Sequence, residues 1–114
     1  VIFGAGGSTG NGAIGKVAQK AGAFCIGVDI DQYYTVPEAK SCLVTSAEKK
    51  LVLGVATLVG QAKAGTIKGG NFVGQVGLAP HHDLESKVPA AVKVRLKKTT
   101  TGVLAGSIST GFKG

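Results

Sequence analysis

The sequence predicts an α/β fold, a mostly parallel sheet flanked by helices. Three observations predict it. Short apolar runs of strand length alternate with segments whose apolar residues recur at helical spacing. A glycine-dense loop at residues 4–12 stands between the first such run and the first helical segment. The first two strands are joined through a helix, a connection that makes them parallel with a right-handed crossover.

Taken in order, residues 1–5 read as a short buried strand ending in glycines. Residues 11–21 read as a helix, with Ala13, Ile14, Val17, Ala18 and Ala21 on one face and Gly22 ending it. Residues 24–28 form a second apolar run, and Asp29 sits at its C-terminal end. Residues 29–40 are polar and turn-like, with Pro37. Residues 41–45 read as a third strand. Ser46 is a good N-cap, and a helical pattern continues through Val52, Val55, Ala56 and Val59 to about Lys63, weakened by Gly54. Residues 64–70 read as a loop and 71–78 as a glycine-interrupted strand. Residues 79–88 read as irregular. Pro89 suits the first position of a helix running to about Ala105, with Thr99 to Gly102 its weak middle. Residues 107–113 read as a tail or an edge strand. The chain shows no internal repeat and no linker.

Composition narrows the function. With 44% apolar and 17% charged residues, the chain as a whole is not disordered. Its 19 glycines lack a three-residue period, which excludes collagen. The longest apolar stretch, residues 51–60, is about half of a membrane span. A net charge of +7 permits a phosphate-rich partner, but the basic residues are scattered except for Lys93, Arg95, Lys97 and Lys98. The chain has no Trp and no aromatic-plus-basic platform, so no nucleic-acid partner is expected. Cys25 and Cys42 fit no metal spacing and read as buried free thiols, although their sequence context also permits a disulfide. The chain opens inside a strand-like run with no leader, and reads as a fragment.

The glycine loop, Gly4-Ala5-Gly6-Gly7-Ser8-Thr9-Gly10-Asn11-Gly12, carries the chemistry. Its backbone N–H groups, and those of the helix it opens, can donate to an oxygen-rich ligand that glycine allows to approach closely. Ser8, Thr9 and Asn11 add side-chain donors. Asp29, at the end of the next strand, can accept two hydrogen bonds from vicinal ribose hydroxyls. Asp31, two residues on, either faces the same side of an extended chain as Asp29 or is a solvated turn residue. Two function classes fit. One is an NAD(P)-dependent oxidoreductase, since Ala5-Gly6-x-x-x-Gly10-x-Gly12 fits the short-chain dehydrogenase loop. Against it, Thr9 occupies the third glycine position of GxGxxG, and no Tyr-x-x-x-Lys pair follows.

The other is a solute-binding lobe. The run Ile2-Phe3-Gly4-Ala5-Gly6-Gly7-Ser8-Thr9-Gly10-Asn11-Gly12, then Ala21-Gly22, then Ile26-Gly27-Val28-Asp29-Ile30-Asp31-Gln32-Tyr33-Tyr34, resembles the basic membrane lipoprotein family. These are purine-nucleoside-receptor-like substrate-binding proteins of ABC transporters. Val44-Thr45-Ser46-x-x-Lys49 resembles the family's Thr-Ser-x-x-Lys. Gly65-Thr66-Ile67-Lys68-Gly69-Gly70 resembles its Gly-Thr-Phe-Lys-Gly-Gly. Val76-Gly77-Leu78-Ala79-Pro80-His81-His82-Asp83 resembles its Val-Gly-Leu-Ala-Pro-Tyr-His-Asp. The motifs stand in the family's order along nearly the whole chain.

The resemblance implies one lobe of a type I periplasmic-binding fold. Residues 1–114 would be a single partial domain, most of the C-terminal lobe and roughly the last third of such a protein. It implies capture of a nucleoside, a purine nucleoside by preference, through its ribose, and delivery to ABC permease subunits. Asp29, buried, would take the ribose hydroxyls. Lys49 would add a charged donor, and Gly6 and Gly7 would give backbone contacts. It implies no catalytic residue, no metal and no cofactor. It implies an extracytoplasmic protein held to the membrane by a lipid anchor outside this chain. His81, His82 and Asp83 read as loop-structural. The chain departs from the family in three places: no acidic residue follows Lys49 in 49–53, His81 replaces Tyr, and the last helix is basic throughout.

Overall fold

The computed structural model describes residues 1–111. Over these residues the chain is α/β, with one four-stranded sheet in the order β1-β2-β3-β4. Strands β1 (Ile2–Phe3), β2 (Cys25–Asp29) and β3 (Leu43–Lys49) are parallel, and β4 (Val76–Leu78) pairs antiparallel with β3. Helix α1 (Ser8–Ala18) crosses from β1 to β2, as the glycine loop and helical spacing require.

One face of the sheet is well covered. Ile14 of α1 packs with Cys25, Cys42, Leu43, Val36 and Ala39, all buried. Val36 and Ala39 come from the segment expected to be turn. It contains a one-turn helix, α2 (Gln32–Thr35), followed by a 3-10 turn, Pro37–Ala39. Asp31 caps α2 by accepting from the Tyr33 N–H, and Pro37 holds the next turn, so a polar run became a buried connection.

Other expectations are corrected. The first helix begins at Ser8 inside the glycine run and ends at Ala18, because Gly7 at φ 58° makes the turn. The third strand runs on to Lys49, so Ser46 is a buried strand residue and not a helix cap. Helix α3 (Leu51–Lys63) starts five residues after Ser46. The fourth strand keeps only Val76–Leu78 of residues 71–78. Residues 107–111 form no strand, and residues 112–113 of that expected tail lie outside the described residues. Residues 79–88 include a 3-10 segment, His82–Lys87. Pro89 stands one position before the last helix, α4 (Ala90–Leu104).

Cys25 and Cys42 are not free thiols. They form a disulfide across a sequence separation of 17. The 37–39 turn brings Cys42 to the start of β3, where its carbonyl also accepts from the Cys25 N–H at 2.7 Å.

The opposite face of the sheet is open. Ile2 and Phe3, expected in a buried strand, are exposed, because β1 is a two-residue strand at the sheet edge. Helices α3 and α4 have no buried residue, and Val52, Val55 and Val59 of α3 face solvent. The accessible surface is 7995 Å², against about 5,800 Å² for a compact monomer of this mass. The radius of gyration is 16.4 Å, where about 13 Å suits a compact domain near 100 residues. Both numbers reflect the large apolar side chains left exposed on β1, α3, β4 and α4.

Candidate functional site

The C-terminal ends of the parallel strands bring two of the expected site residues together. Asp29 ends β2 and Lys49 ends β3; Asp29 pairs in register with Glu48. The Lys49 ammonium lies 2.7 Å from Asp29 Oδ1. The pair is accessible: the Asp29 side chain is 48% exposed and that of Lys49 64%. Asp29 is therefore not the buried carboxylate expected. Its strand ends at the sheet rim, where the side chain stays half-exposed.

The backbone at Asp29 is unusual. Its φ is 71°, and the Ile30 N–H donates to the Val28 carbonyl at 2.8 Å around it. A hydrogen bond spanning two residues about a left-handed centre is a γ-turn of the strained kind. A non-glycine residue held this way is maintained by its surroundings, and such residues concentrate at functional sites. Here the turn ends the strand and presents the carboxylate at the rim.

Gly6 and Gly7 lie in the β1–α1 loop with φ 126° and 58°. Gly7 precedes the first turn of α1 and no side chain caps that helix, so its first N–H groups remain available to a ligand oxygen. Among the described residues no hydrogen bond joins Gly6 or Gly7 to the Asp29–Lys49 pair.

A buried side chain that sequence reasoning passed over ties this rim together. Gln32 donates from Nε2 to Asn11 Oδ1 at 2.7 Å and accepts from the Val28 N–H at 3.1 Å. Its own N–H donates to Ser46 Oγ at 3.1 Å. One residue, through its side-chain amide and its backbone N–H, thus links the start of α1, the end of β2 and the middle of β3. The signal in the sequence was its place directly after Asp29-Ile30-Asp31.

Asp31 is not a solvated turn residue either. Besides capping α2, its Oδ2 accepts from His82 Nε2 at 2.8 Å. The His82 ring stacks on Tyr33, centroids 4.0 Å apart, and the Tyr33 hydroxyl donates to Asp83 Oδ2 at 2.7 Å. His81 donates from Nδ1 to the Val44 carbonyl at 2.9 Å. These contacts pin the 79–88 segment onto α2 and β3, in keeping with a structural role for the loop. The bond to Asp83, then desolvation and the negative charge of Asp83, hold the Tyr33 phenol above the ordinary tyrosine value. The bond favours the protonated phenol, so its contribution is intact below about pH 10 and disappears as pH rises through the raised value. In a Tyr34→Phe variant, phenolate absorbance should therefore appear above pH 10, and Asp83→Asn should move it down. An unchanged titration in Asp83→Asn would remove the bond from the account.

Between the open sheet face and α4 lies a cleft of about 460 Å³. Phe3, Val28, Leu78, Leu96 and Val103 make its walls, and Asp29 and Lys49 also line it. The site therefore combines an apolar cleft with a polar pair. Set against protein-family models and curated proteins, the chain matches none. Among the described residues no group of three or more His, Cys, Asp and Glu is placed to hold a metal ion. No helix among them is long and apolar enough to cross a membrane.

Proposed function

We propose that this chain is the ribose-holding lobe of a nucleoside-binding protein that serves an ABC importer. The observation that carries the reading is the accessible Asp29–Lys49 pair at the C-terminal ends of adjacent parallel strands, where open α/β sheets hold their ligands. The carboxylate accepts from two vicinal hydroxyls. The ammonium donates to a ribose oxygen while retaining its contact with Asp29. The apolar cleft beside the pair suits the flat face of a base. Nothing in this reading requires bond making. The captured ligand is passed to membrane permease subunits.

The disulfide supports an extracytoplasmic setting, because such bonds persist in oxidising compartments. That setting fits a capture protein held at the membrane by an anchor outside this chain.

The test is calorimetric titration with a purine nucleoside, its 2′-deoxy analogue and NAD. The nucleoside should bind, and the deoxy analogue should bind at least tenfold more weakly, the loss expected for a hydrogen bond to a charged group. Asp29→Ala should abolish binding while leaving the circular dichroism spectrum unchanged. Equal affinity in a folded Asp29→Ala variant would sink the assignment. Binding of NAD in place of the nucleoside would transfer the glycine loop to the oxidoreductase reading.

A further inference from the structure

Helix α4 has two faces with different chemistry. Leu96, Thr99, Thr100 and Val103 point at the sheet and line the cleft. Val94, Lys97, Lys98 and Thr101 share the opposite face at i, i+3, i+4, i+7 spacing. With Gly102 and Ile108 these outer residues form a second, shallow groove. The chain after α4 folds back to complete it: the Ile108 N–H and the Ser107 hydroxyl both donate to the Gly102 carbonyl at 3.1 Å. Ile108 is thereby held against Gly102, where an added Cβ would lie 2.6 Å from its Cδ1.

The groove is apolar in its floor and cationic at its sides. Val94 is 69% exposed and Ile108 41%, while Lys97, Lys98 and the neighbouring Arg95 are all exposed. No carboxylate side chain occurs anywhere after Glu85, and Glu85 itself is paired with Lys93. Among the described residues no ion pair engages Arg95, Lys97 or Lys98. An uncompensated positive surface of this kind attracts anions within a Debye length.

We infer that the outer face of α4 rests on an anionic phospholipid surface. The charge alone would suit any polyanion; the exposed Val94 and Ile108 among the lysines decide the class. A bilayer surface offers anionic headgroups to the cations and an acyl boundary to the apolar side chains in the same place. A single-stranded nucleic acid would need stacking aromatics, and residues 90–111 contain none. The contact is separate from the Asp29–Lys49 pair and independent of what that pair binds.

Co-sedimentation with vesicles tests it. The protein should pellet with vesicles of phosphatidylcholine mixed with phosphatidylglycerol and stay in solution with phosphatidylcholine alone. Added salt should weaken the binding. Lys97→Gln combined with Lys98→Gln should cost roughly thirtyfold in affinity, at about 1 kcal/mol for each cation near the surface. Both side chains are exposed, so the variant should keep its circular dichroism spectrum; Val94→Ser should also weaken vesicle binding without altering charge. Three results would overturn the inference: no binding to anionic vesicles, equal binding by the double variant, or tighter lysine-dependent binding to a random-sequence DNA duplex than to the vesicles.

Discussion

Reduction of the Cys25–Cys42 disulfide should lower the stability of this protein by about 3 kcal/mol. The estimate follows from loop length: closing a loop of about 15 residues removes that much conformational freedom from the unfolded chain, and the two cysteines are 17 apart. The bond joins the start of β2 to the residue before β3, at the centre of the best-packed part of the molecule. Both cysteines are essentially inaccessible. A reductant should therefore act only when this region opens, and reduction in native buffer should be slow. Urea unfolding with and without a reductant measures the effect as a shift of the midpoint at nearly constant slope. Thiol titration of the unfolded, unreduced protein is the direct check. No free thiol is expected, and two would overturn the assignment.

Gly10→Ala should be comparably costly, for a different reason. Gly10 sits in the first turns of α1 directly against the end of β1. A Cβ there would lie 2.1 Å from the Gly4 carbonyl oxygen and 2.7 Å from its carbon. Both are backbone atoms, so no side chain can swing aside. The helix would have to lift from the strand, taking Ile14 out of its fully buried place. Overpacking of this severity belongs at the upper end of its usual range, about 3 kcal/mol. Gly12→Ala is the control. It lies in the same helix with nothing within 4 Å of the added Cβ. It should stabilise by about 0.5–1 kcal/mol, the difference between the two residues in a helix. Unfolding curves of the two variants should move in opposite directions. Equal shifts would show that glycine content, not the crossing at Gly4, sets the stability here.

Local signals were the legible ones. The order of β1, α1 and β2 follows from apolar spacing and the glycine loop, because a strand, a tight turn and a helix each leave a mark within ten or so residues. Residues 29–49 were harder. Ser46 followed by helically spaced valines looks like a cap, yet the strand continues because the end of β2 offers partners to Ala47 and Glu48. Gln32 and Tyr33 look like turn residues. They acquire their roles from Asn11, Ser46, His82 and Asp83, up to 50 positions away. Such contacts have no local signature.

The same division runs through the candidate site. That Asp29 stands at the sheet rim was readable, since a residue ending a parallel strand faces the ligand edge; Lys49 was expected inside a helix and reaches the rim only because β3 runs on to it. The 2.7 Å pairing of Asp29 with Lys49 depended on the register of β2 against β3, which apolar patterning set only to within a few residues. The exposure of that pair, and the disulfide that replaced two expected thiols, depended on which elements lie above and beside them. Composition, charge and periodicity are sums over neighbours in the chain, and they determined the α/β class, the glycine loop and the basic last helix. Burial and pairing depend on neighbours in space. Only the tertiary structure could decide that one sheet face is closed by Ile14 and Val36 while the other opens onto a cleft.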